Sequence, residues 1–230
     1  MSRLSDIQES VISEMTRVGD EAGAIDLSQG MPDFDAPPRL LQAAVRAIQG
    51  GDNQYSCPFG TLPLRRAVAA RYARYNHIVA APETEVTITC GASEATIATV
   101  LALTEPGDEV IILEPWYESY LPACRLAGAQ PRFVPLREPD YAFDPTELRA
   151  AFNPRTRLIC VNTPHNPTGR VFGRSELSAI AALCCEFNVL AITDEIYDRI
   201  LFDGHEHISI GSLDGMAART VTIGGLGKTY

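Results

Sequence analysis

The chain has 230 residues, of which 46% are hydrophobic and 21% are charged, and these proportions exclude a disordered or fibrous protein. Its formal net charge of −10 argues against nucleic acid or an anionic membrane as a partner, because both are bound through clustered Lys and Arg. The chain has no apolar run near the roughly 20 residues of a membrane span and no signal-peptide pattern. We therefore expect a cytoplasmic protein.

Three helices are predicted in the first 80 residues, near 6–18, 38–49 and 63–75, as an arm and wrapper around the rest. Beyond residue 80, short β-branched runs alternate with amphipathic stretches. The predicted strands are 85–89, 109–113, 130–135, 157–161, 189–193 and 220–223. The predicted helices are 93–103, 117–126 with a kink at Pro122, one capped by Asp144, and 174–187. This alternation is typical of an α/β fold with a mainly parallel sheet between helical layers.

The six cysteines include no C-x-x-C pair, which gives no support for a zinc or redox motif. Four of them lie in apolar segments, at Cys90, Cys160, Cys184 and Cys185. In a chain of this size without a signal peptide, buried free thiols are expected rather than a disulfide framework.

Residues that could bind a ligand or take part in catalysis follow the predicted strands, in segments 90–94, 114–117, 162–169, 194–197 and 224–229. Taken singly, each has a structural explanation: Asp194 as a helix cap, Tyr117 as a packing residue, and 166–169 as an ordinary turn. In open α/β sheets, however, ligands bind beyond the carboxyl ends of the strands. The convergence of an anion cradle, an aromatic, an Asn, an Asp, a Tyr and a Lys at one edge therefore predicts a ligand site.

The motifs at 27–34, 54–56, 162–169, 194–197 and 204–209 resemble, in order, those of class I/II aminotransferases, which are fold-type I pyridoxal-phosphate enzymes. The similarity is strongest to the kynurenine/glutamine and methionine aminotransferase branch. It runs over the whole chain but matches only the N-terminal portion of such an enzyme. The resemblance implies an arm at 1–37, an incomplete large pyridoxal-phosphate domain at 38–230, an absent C-terminal small domain, and hence a fragment.

The resemblance implies pyridoxal 5'-phosphate as cofactor and a role for each matching residue. Lys228 attaches the cofactor covalently and moves the substrate proton, which requires a lowered pKa. Asp194 pairs with the pyridine nitrogen, so that Lys228 and Asp194 lie on opposite ends of one cofactor ring. Asn166 and Tyr197 bond the ring's phenolic oxygen, and Tyr117 stacks on the ring face.

Further residues are implied to bind the phosphate and the substrate. The backbone N–H groups of Ala92, Ser93 and Glu94 meet the phosphate at a helix N-terminus, and Tyr55 reaches the phosphate of the neighbouring subunit in a homodimer. Gly30 lets the backbone approach the substrate carboxylate, near Asn166.

Two departures from the family pattern weaken these expectations. Gly225 stands where the family commonly has a Ser or Thr that donates to the phosphate. The chain also lacks the family's downstream basic phosphate ligand and the C-terminal arginine that clamps the substrate carboxylate. We expect little activity from these 230 residues alone.

The expected activity of the parent protein is transfer of an amino group between an L-amino acid and a 2-oxo acid. Two alternatives stay open: C–S β-elimination or decarboxylation on the same fold, and a non-catalytic truncated product. A nucleotide site at 224–229 resembles a deviant P-loop, but Thr222, Ile223 and the lack of a following helix oppose it.

Zinc at His205 and His207 is disfavoured for want of further ligands, and a solvated loop is expected there. His165 is predicted either to support Asn166 or to be a plain turn residue.

Overall fold

A computed structural model describes residues 10–27, 29, 30, 32 and 34–230. It contains two compact units, one ending at Cys57 and one running from Pro58 to Thr229. The predicted boundary between residues 37 and 38 concerns the domains of the full-length family and stays a prediction.

The described residues of the N-terminal unit form two helices, α1 (Val11–Ala22) and α2 (Pro38–Gln49). The side chain of Ser10 caps α1, and Gly23 ends it in the left-handed conformation, as expected of helix boundaries. The predicted start of α1 at residue 6 lies outside the described residues, whereas α2 has its predicted bounds. Neither helix has a buried residue.

The larger unit contains helices and strands in alternation. Its helices are α3 (Leu62–Tyr75), α4 (Gly91–Leu103), α5 (Tyr120–Ala127), α6 (Pro145–Ala151), α7 (Arg174–Phe187) and a short 3-10 turn (Ile210–Ser212). Its strands are β1 (Glu109–Glu114), β2 (Gln130–Arg137), β3 (Ala142–Phe143), β4 (Thr156–Asn162), β5 (Leu190–Asp194) and β6 (Thr220–Ile223).

The sheet has the order β3-β2-β1-β4-β5-β6. Every pairing is parallel except that of the short edge strand β3, which is antiparallel to β2. Strands β2 and β3 lie on one side of β1, and β4, β5 and β6 follow one another on its other side. The crevice at that reversal of strand order is where ligands bind in open α/β sheets.

Both faces of the sheet are covered. Alternate residues of β1 and β4, such as Ile111 and Ile159, join one apolar core with α6 and α7. Their neighbours, such as Ile112 and Leu158, join a second core with α4 and α5. This confirms the predicted mainly parallel sheet between helical layers, and it explains why the central strands are apolar on both faces.

The predicted strand at 85–89 is wrong. Residues 86–89 form no strand, and the N–H of Ile88 donates to the carbonyl of Phe59 in a loop at 3.0 Å. The β-branched pattern favours extended backbone, but a strand also needs a partner, which only tertiary structure supplies.

Two smaller expectations also fail. Pro122 causes no kink, because α5 starts at Tyr120 and Pro122 falls in the first turn, where backbone N–H groups lack intrahelical acceptors anyway. The short strand β3 was not predicted.

All six cysteines are free, with Cys124, Cys160 and Cys184 buried and Cys57, Cys90 and Cys185 exposed. The expected burial of Cys90 and Cys185 is therefore wrong. Cys90 lies where α4 begins, and Cys185 lies on the outer side of α7. Among the described residues, no helix is both long and apolar enough to cross a bilayer.

Candidate active site

Asp194 is the last residue of β5 and is 5% exposed. Its Oδ2 accepts a hydrogen bond from the hydroxyl of Tyr120 at 2.8 Å, and its Oδ1 accepts from the N–H of Ile196 at 3.2 Å. Its backbone carbonyl accepts from Asn162 Nδ2 at 2.9 Å and from the N–H of Thr163 at 3.1 Å. The carboxylate is therefore held rigidly at the carboxyl edge of the sheet.

The electrostatic setting of Asp194 is unusual for a buried acid. Burial raises its pKa, while the hydrogen bond from Tyr120 lowers it in part. Among the described residues, no Lys, Arg or His side chain forms an ion pair with Asp194. Tyr120 is itself buried, with a pKa well above the usual value, so it is a neutral donor. An unpaired buried carboxylate is costly, and a cationic ligand group would relieve that cost.

Asn166, Tyr197 and Tyr117 are neighbours of this carboxylate. The N–H of Asn166 donates to Asn162 Oδ1 at 2.7 Å, which ties the 162–169 turn to the end of β4. Burial raises the pKa of Tyr197, as do the nearby Asp194 and Tyr117, whereas a hydrogen bond with the Asn166 side chain lowers it. The structure thus brings together these predicted cofactor-binding side chains.

Aromatic residues form the wall that follows β1. The rings of Tyr117 and Tyr120 meet edge to face, with centroids 5.9 Å apart. Trp116 stacks on Phe133 of β2, with centroids 4.6 Å apart and an interplanar angle of 24°. The stack fixes the backbone that precedes Tyr117.

His165 supports the turn that carries Asn166. It is 4% exposed, and its Nδ1 lies 2.8 Å from Thr168 Oγ1. Burial lowers its pKa to about 4, against the opposing effect of a hydrogen bond with the backbone of Pro115. The ring therefore joins the 162–169 turn to the segment after β1, which favours the supporting role over that of a plain turn residue.

The N-terminus of α4 has no side-chain cap at Cys90, and the first N–H groups of a helix lack intrahelical acceptors. Ala92 is half-buried, whereas Ser93 and Glu94 are exposed. The carboxylate of Glu94 accepts a hydrogen bond from the N–H of Cys90, a contact that the sequence did not suggest. An acidic side chain thus already lies at the predicted phosphate-binding helix end.

Lys228 lies in the turn that follows β6 and is exposed. In the sheet, Ile223 at the end of β6 is paired with Asp194 at the end of β5. The segment leading to Lys228 therefore starts beside the segment carrying Asp194. Gly30 and Tyr55 belong to the N-terminal unit and are both exposed, and their roles stay predictions.

Two features were missed by sequence reasoning. Tyr120 follows Tyr117 by three residues, but only the fold shows that its hydroxyl meets Asp194. His207, expected in a solvated loop, has a side chain only 6% exposed and lies 2.9 Å from the carboxylate of Glu195. The segment is a loop and His205 is exposed, as expected, but the expected solvation of His207 is wrong, because the polarity of a sequence does not reveal a buried carboxylate elsewhere in the fold that bonds the imidazole.

The sheet order and the polar groups at its reversal point define an open α/β ligand-binding fold, and the comparisons assign it to the fold-type I pyridoxal-phosphate transferases. Solved structures bear this out. The N-succinyldiaminopimelate aminotransferase of Mycobacterium tuberculosis is similar with a TM-score of 0.96 and 46% identity, over 100% of this chain and 60% of that one. The methionine aminotransferase YbdL of Escherichia coli is similar with a TM-score of 0.94 and 34% identity, with the same coverage.

The family model for aminotransferase class I and II matches residues 22–230, and the chain belongs to this family. A probable N-succinyldiaminopimelate aminotransferase of M. tuberculosis is 47% identical over 233 residues, covering 100% of this chain and 58% of the relative. Kynurenine–oxoglutarate transaminase 1 of Mus musculus is 41% identical over 241 residues, covering 99% and 57%. The chain thus spans less than three fifths of these relatives. The resemblance to the kynurenine and methionine branch is confirmed, and the P-loop alternative gains no support.

Proposed function

We propose that the protein containing this chain transfers an amino group between an L-amino acid and a 2-oxo acid, using pyridoxal 5'-phosphate. The observation that carries the proposal is the buried Asp194 carboxylate, which has neutral donors and no cationic side chain paired with it in the described part of the chain. A protonated pyridine nitrogen supplies the missing positive charge. The donor set beside it also fits the cofactor, because Asn166 and Tyr197 offer polar groups for a ring oxygen.

Each residue then has a defined task. When bound, pyridoxal phosphate supplies an electron sink for the charge left after the α-proton of an amino acid is removed. Asp194 accepts a hydrogen bond from the ring N–H and keeps that nitrogen protonated. Asn166 and Tyr197 bond the phenolic oxygen, and Tyr117 covers a face of the ring.

The remaining proposed roles concern the phosphate and the proton. The N–H groups of Ala92, Ser93 and Glu94 bind the phosphate, where the helix dipole favours an anion. The Lys228 amine would anchor the cofactor and, once the substrate's amino group has displaced it, would take the α-proton from the substrate and deliver it to the cofactor. Gly30 and Asn166 are proposed to meet the substrate carboxylate.

A homodimer in the cytoplasm is the proposed setting. Tyr55 has a fully exposed side chain in this structure, as expected of a residue that reaches a neighbouring subunit. The six free cysteines are in keeping with a reducing compartment. The relatives are named for different amino donors, so the proposal names no single substrate.

Lys228 offers a direct test, because it is the sole lysine of the chain: 18 of the 19 basic residues are Arg. The chain is incubated with pyridoxal phosphate, reduced with borohydride and analysed by peptide mass spectrometry. We expect one pyridoxyl group on the peptide containing Lys228. The Lys228→Arg variant, which keeps the charge, should take up none there.

Asp194→Asn separates a specific site from chance modification of an exposed amine. It should lower the labelling of Lys228 at limiting pyridoxal phosphate, because the ring nitrogen loses its anionic partner. Labelling that is confined to the N-terminal amine, or that is insensitive to Asp194→Asn, would contradict the proposed site. In the full-length protein that contains this chain, transfer of the amino group to an added 2-oxo acid, followed by chromatography, separates transamination from β-elimination.

A further inference from the structure

A buried polar cluster lies next to the candidate site and is used by none of the proposed chemical steps. Its centre is Glu195, the residue after Asp194, whose side chain has no exposed surface. Four side chains bond its carboxylate: Ser209 Oγ at 2.6 Å, Thr193 Oγ1 at 3.1 Å, Asn76 Nδ2 at 2.9 Å and His207 Nε2 at 2.9 Å. We call these five residues the Glu195 cluster. A buried carboxylate is tolerated only when its oxygens are bonded in this way.

The cluster extends to a second buried carboxylate through α3. Asn76, just beyond the end of α3, also donates to Asp198 Oδ2 at 3.2 Å. Arg71 on α3 donates to Asp198 Oδ1 at 2.8 Å. The turn containing Asp194 and Tyr197 is thus bonded to the end of α3 at two points.

The same face of α3 touches the segment that leads to Lys228. A Cβ added to Gly224 would collide with the hydroxyl of Tyr72, so the glycine is needed for this close approach. Burial, and then the negative charge of Glu195, raise the pKa of Tyr72 well above its usual value. Tyr72 is therefore packed between the two segments.

The backbone joins the two segments directly. The N–H of Glu195 donates to the carbonyl of Ile223, the last residue of β6, at 2.8 Å. Glu195 is therefore both the centre of the polar cluster and the residue whose backbone joins the end of β5, which carries Asp194, to the end of β6, which leads to Lys228.

We infer that Glu195 is a positioning residue, whose bonds to Asn76, His207 and Ser209 hold the segments of Asp194 and Lys228 in register for one cofactor. The inference rests on the proposed function for its purpose. Its structural part, the coupling of the two segments, can be tested without any cofactor.

Glu195→Gln is the primary test, because it keeps the shape but replaces one acceptor oxygen with an NH₂ group that faces donors. Native-state hydrogen exchange is followed at the amides of Glu195 and Asp198, which donate to Ile223 and to the carbonyl of residue 195. We expect their protection to fall about tenfold or more, the size of a lost charged hydrogen bond. Amides of β1 should change much less. Pyridoxyl labelling of Lys228 should fall by a similar factor at limiting pyridoxal phosphate.

Glu109→Gln is the matched control. Glu109 is 3% exposed and lies at the start of β1, at the end of the strands opposite to the candidate site. Its carboxylate bonds Asn153 at 2.7 Å and Arg155 Nε at 2.9 Å. Like Glu195 it is a buried carboxylate bonded by several side chains, although its partners include arginines, and none of these bonds goes to either segment. The control should destabilise the chain while leaving the ratio of Lys228 labelling to folded protein unchanged.

His207 provides a second pair of variants should Glu195→Gln fail to fold. His207→Ala removes a bond to Glu195, and His207→Gln can restore one. Labelling that falls in the first variant and recovers in the second supports positioning. Equal loss of protection at β1 and at Glu195, or unchanged labelling of Lys228 in folded Glu195→Gln and His207→Ala, would overturn it. Absence of labelling in the unmodified chain would instead count against the proposed function.

Discussion

The hydrogen bond that Tyr120 donates to Asp194 adds no positive charge to the candidate site. A cationic partner from the protein would neutralise Asp194 and leave nothing for a ligand to gain. The neutral phenol donates a hydrogen bond at 2.8 Å and so holds the acid's pKa below the value that burial alone would give. The hydrogen bond thus favours the anionic form of Asp194, which a cationic group can bind, against the effect of burial.

We predict that Tyr120→Phe weakens the binding of pyridoxal phosphate by about tenfold, the scale of a hydrogen bond to a charged group. The pKa of Asp194 should rise further when its donor is lost, so the loss should be larger at low pH. Absorbance titration with pyridoxal phosphate across a pH series measures both effects. Tyr141→Phe is the control, because it removes a similar phenol-to-carboxylate bond, to Glu138 at 3.2 Å, away from the site. Equal affinities for the two variants would contradict the role given to Tyr120.

At the scale of elements, the sequence was informative wherever a pattern and its termini agreed. Helices α2 and α7 and strand β6 have their predicted bounds. In α7 an apolar stripe at helical spacing identifies the element, and in β6 a short β-branched run does so. The run at 85–89 shows the limit, since β-branched residues specify an extended backbone and not its partner. The same holds at the site. Residues at strand ends could be predicted from topology, but the contacts of Tyr120 and His207 depend on packing between distant segments.

The loop that meets residues 86–89 yields a prediction about Gly60. This glycine has a φ of +91°, and an added Cβ would overlap the side chain of Ile88. We predict that Gly60→Ala costs about 1–3 kcal/mol, from backbone strain together with the displacement of Ile88. Gly107→Ala is the control, because Gly107 has a φ of +96° but no atom within 4 Å of the added Cβ. Denaturant unfolding should show the larger loss for Gly60→Ala, and equal losses would argue that Ile88 is not held there.

For the molecule as a whole, His165 links acid stability to the candidate site. Its pKa is about 4 in the fold against 6.5 for the free side chain. The unfolded chain therefore binds more protons between these values, and stability falls as the pH drops from about 6.5 to about 4. The two values imply a loss of up to about 3 kcal/mol.

We predict that His165→Gln flattens the pH dependence of unfolding in this window. The free energy of unfolding is measured at intervals of pH for the variant and for the unmodified chain, and the difference between the curves isolates this histidine from the carboxylates. His205→Gln, at an exposed histidine, is the control and should leave the curve unchanged. A His165→Gln curve parallel to that of the unmodified chain would show that burial does not suppress protonation of the imidazole.

The stack of Trp116 on Phe133 gives the protein an internal optical reporter. The chain has a single tryptophan, and it directly precedes the tyrosine proposed to cover the cofactor ring. Its emission therefore originates from one wall of the crevice and from nowhere else in these 230 residues. Arrival of an absorbing chromophore in the crevice should quench that emission, so occupancy can be followed in real time without a dye or an added label.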